Sequence, residues 1–125
     1  MQALYVWMIV CGGIGSLLRY MITQGITSWY GTSTMGTLLV NVVGCFLFGF
    51  FYAWFVRGGL TPYARALVLS GFLGGFTTMS AFAGDVFVAF NQQRFFDGSV
   101  YFIATNVGAV MAVWVGFATF NTILK

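Results

Sequence analysis

Apolar residues fill four long windows of the chain, Ala3–Thr23, Met35–Val56, Ala64–Phe90 and Ser99–Leu124. Short polar connections separate them: Gln24–Thr34, Arg57–Tyr63 and Asn91–Gly98. A helix crossing a hydrocarbon core takes about 20 residues at ~1.5 Å of rise each, and every window meets that length. The pattern therefore predicts an all-α membrane protein with four transmembrane helices in a single domain over residues 1–125. The first window does not read as a secretory signal, because it lacks a basic start, carries Arg19, and precedes no small-residue cleavage site. Aromatic residues near span ends (Tyr5, Trp7, Trp29, Tyr30, Tyr52, Trp54 and Tyr63) fit belts at the membrane–water interface.

Polar positions inside the windows interrupt the lipid-like pattern. In span two, Thr37, Asn41, Gly44 and Phe48 recur at helical spacing along one face. In span four, Tyr101, Thr105, Ala109, Ala112 and Gly116 form a stripe in which hydroxyls give way to small side chains. Such groups serve either as interhelical glue, at about 0.6 kcal/mol each, or as donors lining an ion path. Both readings stand at this point. Arg19 falls near the end of span one, where it can snorkel outward or act at a site. Asp85, toward the end of span three, is a candidate partner for it, within one chain or between two.

The third window holds the most irregular stretch, Gly71-Phe-Leu-Gly-Gly-Phe-Thr-Thr-Met-Ser-Ala-Phe82. Adjacent glycines followed by Thr-Thr-Met-Ser make poor helix, and they sit at the middle of the window, around Thr77. Irregular backbone at that depth is tolerated only when buried in protein or lining a cavity, because unpaired backbone groups cost several kcal/mol (about) in lipid. Freed carbonyls at a break suit a hard cation, and half-helix N-termini suit an anion. A glycine-softened but continuous helix is the alternative. A break here needs more protein around it than 125 residues supply, which a homodimer pairing two breaks would provide.

Composition sharpens this picture. Hydrophobic residues make up 60% of the chain and charged residues 6%, where a soluble domain carries about 25% charged. Mean hydropathy is +0.93. The net charge of +3 is scattered, so no basic run exists to grip nucleic acid. His and Glu are absent, and the carboxylates are Asp85 and Asp97. Acid–base pairs, triads and most metal sites draw on those residue types, so the sequence offers no basis for an enzyme. Cys11 and Cys45 lie in apolar stretches without a CxxC partner and read as reduced packing residues. Basic residues divide weakly between the two sides of four spans: Arg57, Arg65 and Lys125 on one, Arg94 and an outward Arg19 on the other. Copies inserted in both orientations fit that bias as well as a fixed topology does.

Three segments together resemble the Fluc (CrcB) fluoride channels. They are Gly12-Gly-Ile-Gly-Ser-Leu-Leu-Arg19-Tyr20, Asn41-Val-Val-Gly44-Cys-Phe46-Leu-Phe-Gly49, and the Gly71–Phe82 stretch, in spans one, two and three. The resemblance implies a dual-topology antiparallel homodimer in a bacterial inner membrane, with two pores each built by both subunits. It implies a structural Na+ at the dimer centre, held by main-chain carbonyls that map to Gly74 and Thr77. Pore positions contacting fluoride map to Asn41, to positions Met79 and Phe82, and to the hydroxyl track of Tyr101 and Thr105. Thr37, Ser80 and Thr78 are further candidate pore hydroxyls, and Arg19 is a vestibule or structural charge. One position departs from the pattern: the family motif has Phe where Met79 stands. In the family the two rings present electropositive edges to a dehydrated anion. A Met at that place offers only polarised CH groups beside sulfur on a flexible chain.

Two other readings share the size and span number. A small multidrug or cation antiporter of the four-helix kind needs a membrane-embedded carboxylate, and the Glu in span one that would serve is missing. A non-transporting membrane scaffold subunit would show no flux when purified.

Overall fold

The computed structural model describes residues 2–124; Met1 and Lys125, the latter counted in the charge bias above, lie outside the described residues. Four helical spans cross the molecule, and helix accounts for nearly all of it. They are α1 (Gln2–Tyr30), α2 (Ser33–Val56), a segmented third span, and α6 (Phe95–Ile123). The third span, Pro62–Asn91, comprises α3 (Pro62–Arg65), a widened π-type stretch over Ala66–Phe72, α4 (Leu73–Phe76) and α5 (Met79–Asn91).

Two boundaries differ most from the hydrophobic windows. Helix α1 continues past Thr23 to Tyr30, because the polar residues there cap themselves: Thr27 Oγ1 and Ser28 Oγ return to the carbonyls of Thr23 and Gly25. Gly31, with φ of 72°, ends the helix in the left-handed conformation that glycine adopts without strain. Helix α6 likewise starts at Phe95, before the window at Ser99, and takes in Phe95, Phe96, Asp97 and Gly98. One consequence concerns Arg19. It lies near the middle of α1, not near its end, and its Nε donates to the Gly75 carbonyl at 3.2 Å. It points inward at the break and does not snorkel.

Helices α2 and α6 pack most intimately. Gly49 of α2 lies against the Val113 carbonyl, and Gly116 of α6 lies against the Phe46 carbonyl, so each backbone seats the other. Phe50 meets Phe120 edge-on at 5.1 Å between centroids and extends that seam toward the membrane surface. Helix α1 meets the third span through Gly12, Gly15, Gly71 and Gly75 in the same manner. The protein interior is correspondingly slim: Val40 is wholly shielded and Thr37 is 2% exposed, both in the N-terminal half of α2. Most large apolar side chains face outward, as lipid or a second subunit requires. The interfacial aromatics Tyr5, Trp7, Trp29, Tyr30, Tyr52, Trp54 and Tyr63 are all exposed.

The third span is not a softened continuous helix. In the Ala66–Phe72 stretch the turns widen, and the Leu73 N–H reaches five residues back to the Val68 carbonyl. Gly74 and Gly75 themselves remain helical. The chain extends at the two residues after Phe76: Thr77 at φ −83°, ψ 158° and Thr78 at φ −148°, ψ 111°. β-Branched threonines suit extended backbone, while the glycines admit α1. Gly75 lies against the backbone of Gly12, where a Cβ would collide.

Candidate functional site: a broken helix and the cavity beside it

At the break, side chains take the amides that a continuous helix would have bonded to carbonyls one turn back. The Thr78 N–H donates to Asn41 Oδ1 at 2.8 Å, so it does not close onto Gly74. The Ala81 N–H donates to Thr78 Oγ1 at 3.2 Å, capping α5, so it does not close onto Thr77. The carbonyls of Gly74 and Thr77 thereby lose their in-helix donors. The Gly75 carbonyl finds replacements, and that of Thr78, which caps α5, gains an extra donor. Gly75 accepts from Ser16 Oγ at 3.3 Å and Arg19 Nε at 3.2 Å, and Thr78 accepts from Asn41 Nδ2 at 3.1 Å. Gly74 is exposed on the single chain, and a Cβ there would meet nothing within 4 Å. The sequence resemblance assigned a cation to the carbonyls of Gly74 and Thr77; the Phe76 carbonyl beside them has lost its helical donor as well. Two neutral oxygens of a hard, compact type fit a monovalent cation as part of a shell, and a second copy could double them.

Beside the break lies a cavity of about 200 Å³, walled by α2, α5 and α6. Asn41, Thr78, Met79, Phe82, Thr105 and Asn106 line it. Asn41 and Thr105 sit near the midpoints of their spans. The Thr105 hydroxyl is buried and has no hydrogen-bond partner among the described residues. An unpaired buried hydroxyl is costly unless something polar visits it. Asn41, clasped to Thr78 through one amide proton, keeps a second proton. Every group lining this cavity is neutral, and its polarity comes from amides and hydroxyls that can donate.

The other sequence candidates distribute around this core. Phe82 is 3% exposed and packs against Tyr101 at 5.4 Å and Phe102 at 5.7 Å. Met79, the other position of the pair, is 71% exposed on the single chain. Thr37 is buried one helical turn before Asn41. Ser80 is exposed, with its hydroxyl 3.3 Å from that of Thr78. Tyr101 lies farther along, donating to Asp85 Oδ2 at 3.3 Å, while Ser33 Oγ donates to Asp85 Oδ1 at 3.2 Å. The suggested Arg19–Asp85 pair therefore does not form within the chain. Asp85 is held by Ser33 and Tyr101, and Arg19 serves the Gly75 carbonyl.

Two roles escaped the sequence. Ser33 stands at the start of α2, 52 residues from Asp85, and nothing local signals its contact. Asn106 does carry a signal, an amide in the middle of an apolar span, but it falls outside the stripe at fourfold spacing that starts from Tyr101. Both cysteines are free, and Cys45 lines the cavity.

Fold and site together define a class: a multi-pass helical membrane protein whose third span breaks beside a neutral, donor-lined cavity. The family model described as "CrcB-like protein, Camphor Resistance (CrcB)" matches residues 6–117. The chain belongs to that family. Among its relatives is the fluoride-specific ion channel FluC of Aquifex aeolicus, 36% identical over 108 residues, covering 85% of this chain and 87% of that protein. The protein of the same description from Gloeobacter violaceus is 37% identical over 114 residues, covering 90% and 91%. One from Rhizobium etli (strain ATCC 51251) is 42% identical over 118 residues, covering 92% and 94%.

Proposed function

We propose that the protein is a passive fluoride channel of a bacterial inner membrane, exporting cytoplasmic fluoride. The observation that carries this reading is the buried, unpartnered hydroxyl of Thr105, a residue that lines the same cavity as Asn41. A dehydrated anion would accept from such donors, and a narrow pore built on them would favour a small anion over larger halides. The names borne by its relatives support fluoride as that anion.

Fluoride enters cells as neutral HF and is trapped as the anion in neutral cytosol. An inside-negative potential drives the anion outward by about 2.3 kcal/mol per charge per 100 mV. No coupled proton is needed. This fits a chain without Glu or His, whose one acid in the interior of a span, Asp85, is occupied by Ser33 and Tyr101. It also weighs against a proton-coupled antiporter.

The working unit in this proposal is an antiparallel homodimer with two pores, its copies inserted in opposite orientations. The cavity is walled by a single chain, and Met79 at its edge is mostly exposed, so a second subunit has a place to close it. A structural Na+ at the dimer centre would be held by the Gly74 and Thr77 carbonyls of both copies. When bound, such an ion supplies positive charge to oxygens that have lost their helical donors. The pore contacts are Asn41, Met79, Phe82, Tyr101 and Thr105, with Ser80 and Thr37 as further hydroxyls.

The test is efflux from liposomes reconstituted with purified protein, followed by a fluoride electrode with chloride as control. Rapid fluoride loss without ATP or a proton gradient is expected. Chloride leaving as readily as fluoride, or no flux of either, overturns the proposal.

A further inference from the structure

We infer that Asn106 is a second amide donor to the permeating anion, standing where the hydroxyl track of α6 runs out. The inference rests on the channel reading above. Along the stripe from Tyr101 and Thr105 the next positions are Ala109 and Ala112, which offer no side-chain donor. Asn106 adjoins Thr105, precedes Ala109 by less than a turn, and lines the cavity with both of them and with Asn41.

Its hydrogen bonding leaves it unfinished. Nδ2 donates one proton to the Phe102 carbonyl one turn back, at 2.7 Å. That bond orients the amide against its own helix. The second Nδ2 proton and the Oδ1 atom have no partner among the described residues. Asn106 is exposed on the single chain and sits three residues before the middle of α6. Its outward neighbours Ile103, Val107, Val110 and Met111 are exposed and apolar, as a lipid-facing surface demands. An amide turned toward acyl chains at that depth would cost several kcal/mol (about), so its place is on the cavity side, where the anion can complete it. Phe102, whose carbonyl holds Asn106, also stacks on Phe82 at 5.7 Å, which ties the orientation of the amide to the aromatic wall of the same cavity.

The sharpest test compares N106S with N106A in liposomes, since the two differ by one hydroxyl donor and little in volume. Wild-type efflux is measured in parallel, and the oligomeric state of each variant is followed by size exclusion. Fluoride efflux is expected to fall roughly tenfold or more in N106A, on the scale of a lost hydrogen bond to a charged group, and to be partly restored in N106S. N106D, which replaces the donor with a negative charge, should lose flux altogether. Equal flux from wild type, N106A and N106S overturns the role of Asn106 while leaving the channel reading intact. Variants that pass fluoride slowly but equally, with altered elution, also overturn it, by showing a packing role. A wild-type protein that passes no fluoride defeats the channel reading itself.

Discussion

Asn41 and Thr78 clasp each other through two hydrogen bonds, Asn41 Nδ2 to the Thr78 carbonyl at 3.1 Å and the Thr78 N–H to Asn41 Oδ1 at 2.8 Å. The amide side chain imitates a β-ladder partner for one extended residue, and so replaces the helical bonds that the break removes. One side chain of α2 thereby stabilises the break, keeps an N–H unused, and lines the adjoining cavity. Replacing Asn41 by Ala leaves the N–H of buried Thr78 unpaired, at about 1–3 kcal/mol, and removes the second donor to its carbonyl. Thermal unfolding of the purified variant should drop by several degrees, and fluoride efflux should fall with it. An unchanged midpoint would mean that the clasp is dispensable.

Arg19 acts on the same turn from the opposite side. Its bond to the Gly75 carbonyl is charge-assisted and partly buried, a type worth about 1.5–3 kcal/mol, with solvent screening lowering that figure. R19Q is expected to destabilise the fold, while flux per correctly assembled molecule stays within about twofold of wild type. The reverse result, normal stability with reduced flux, would assign Arg19 to drawing anions toward the pore.

Met79 stands where the family pattern has an aromatic ring, at the exposed edge of the cavity. A ring edge is a firmer, better oriented electropositive surface than the CH groups beside a thioether. M79F should raise the fluoride rate by roughly three- to tenfold, the equivalent of about 1 kcal/mol in the barrier, with chloride still excluded. Slower efflux from M79F in liposomes would show that the surrounding residues have adapted to Met.

The proposed Na+ gives a direct removal experiment. Exchanging Na+ for N-methylglucamine on both faces of the liposome, with fluoride held constant, should diminish efflux and weaken the dimer toward dissociation. Because the proposed ligands are uncharged carbonyls, the requirement should change little over pH 6–8 (roughly), where they do not titrate. Full activity after exhaustive exchange would dismiss the ion.

The α2–α6 seam is set by Gly49 and Gly116, each lying against a backbone carbonyl of the other helix. A methyl group at Gly116 would meet the Phe46 carbonyl and force the helices apart, with overpacking costing about 1–3 kcal/mol. G25A, where the added carbon meets nothing within 4 Å, is the matched control and should match wild type or exceed it slightly. Equal unfolding temperatures for G116A and G25A would contradict the close seam.

The sequence by itself determined the solvent, the number of spans and the place where regular structure fails. Twenty-residue apolar windows admit few folds in lipid, and Thr77-Thr78 in mid-span could only be excused by a site. It also marked Asn41 and Thr105 as polar groups needing a partner. What it left open was which partner each had. The clasp from Asn41 joins residues 37 apart, Arg19 reaches Gly75 across 56, and Ser33 reaches Asp85 across 52. Helical periodicity reports neighbours three and four residues away and is silent on such pairs. Only the packing of α1 and α2 against the third span decided that the Gly75 carbonyl and the Thr78 N–H would be supplied with side-chain partners while the carbonyls of Gly74 and Thr77 would not. A carbonyl's need for a donor is written in the chain, but the side chain that meets it is chosen by where helices touch.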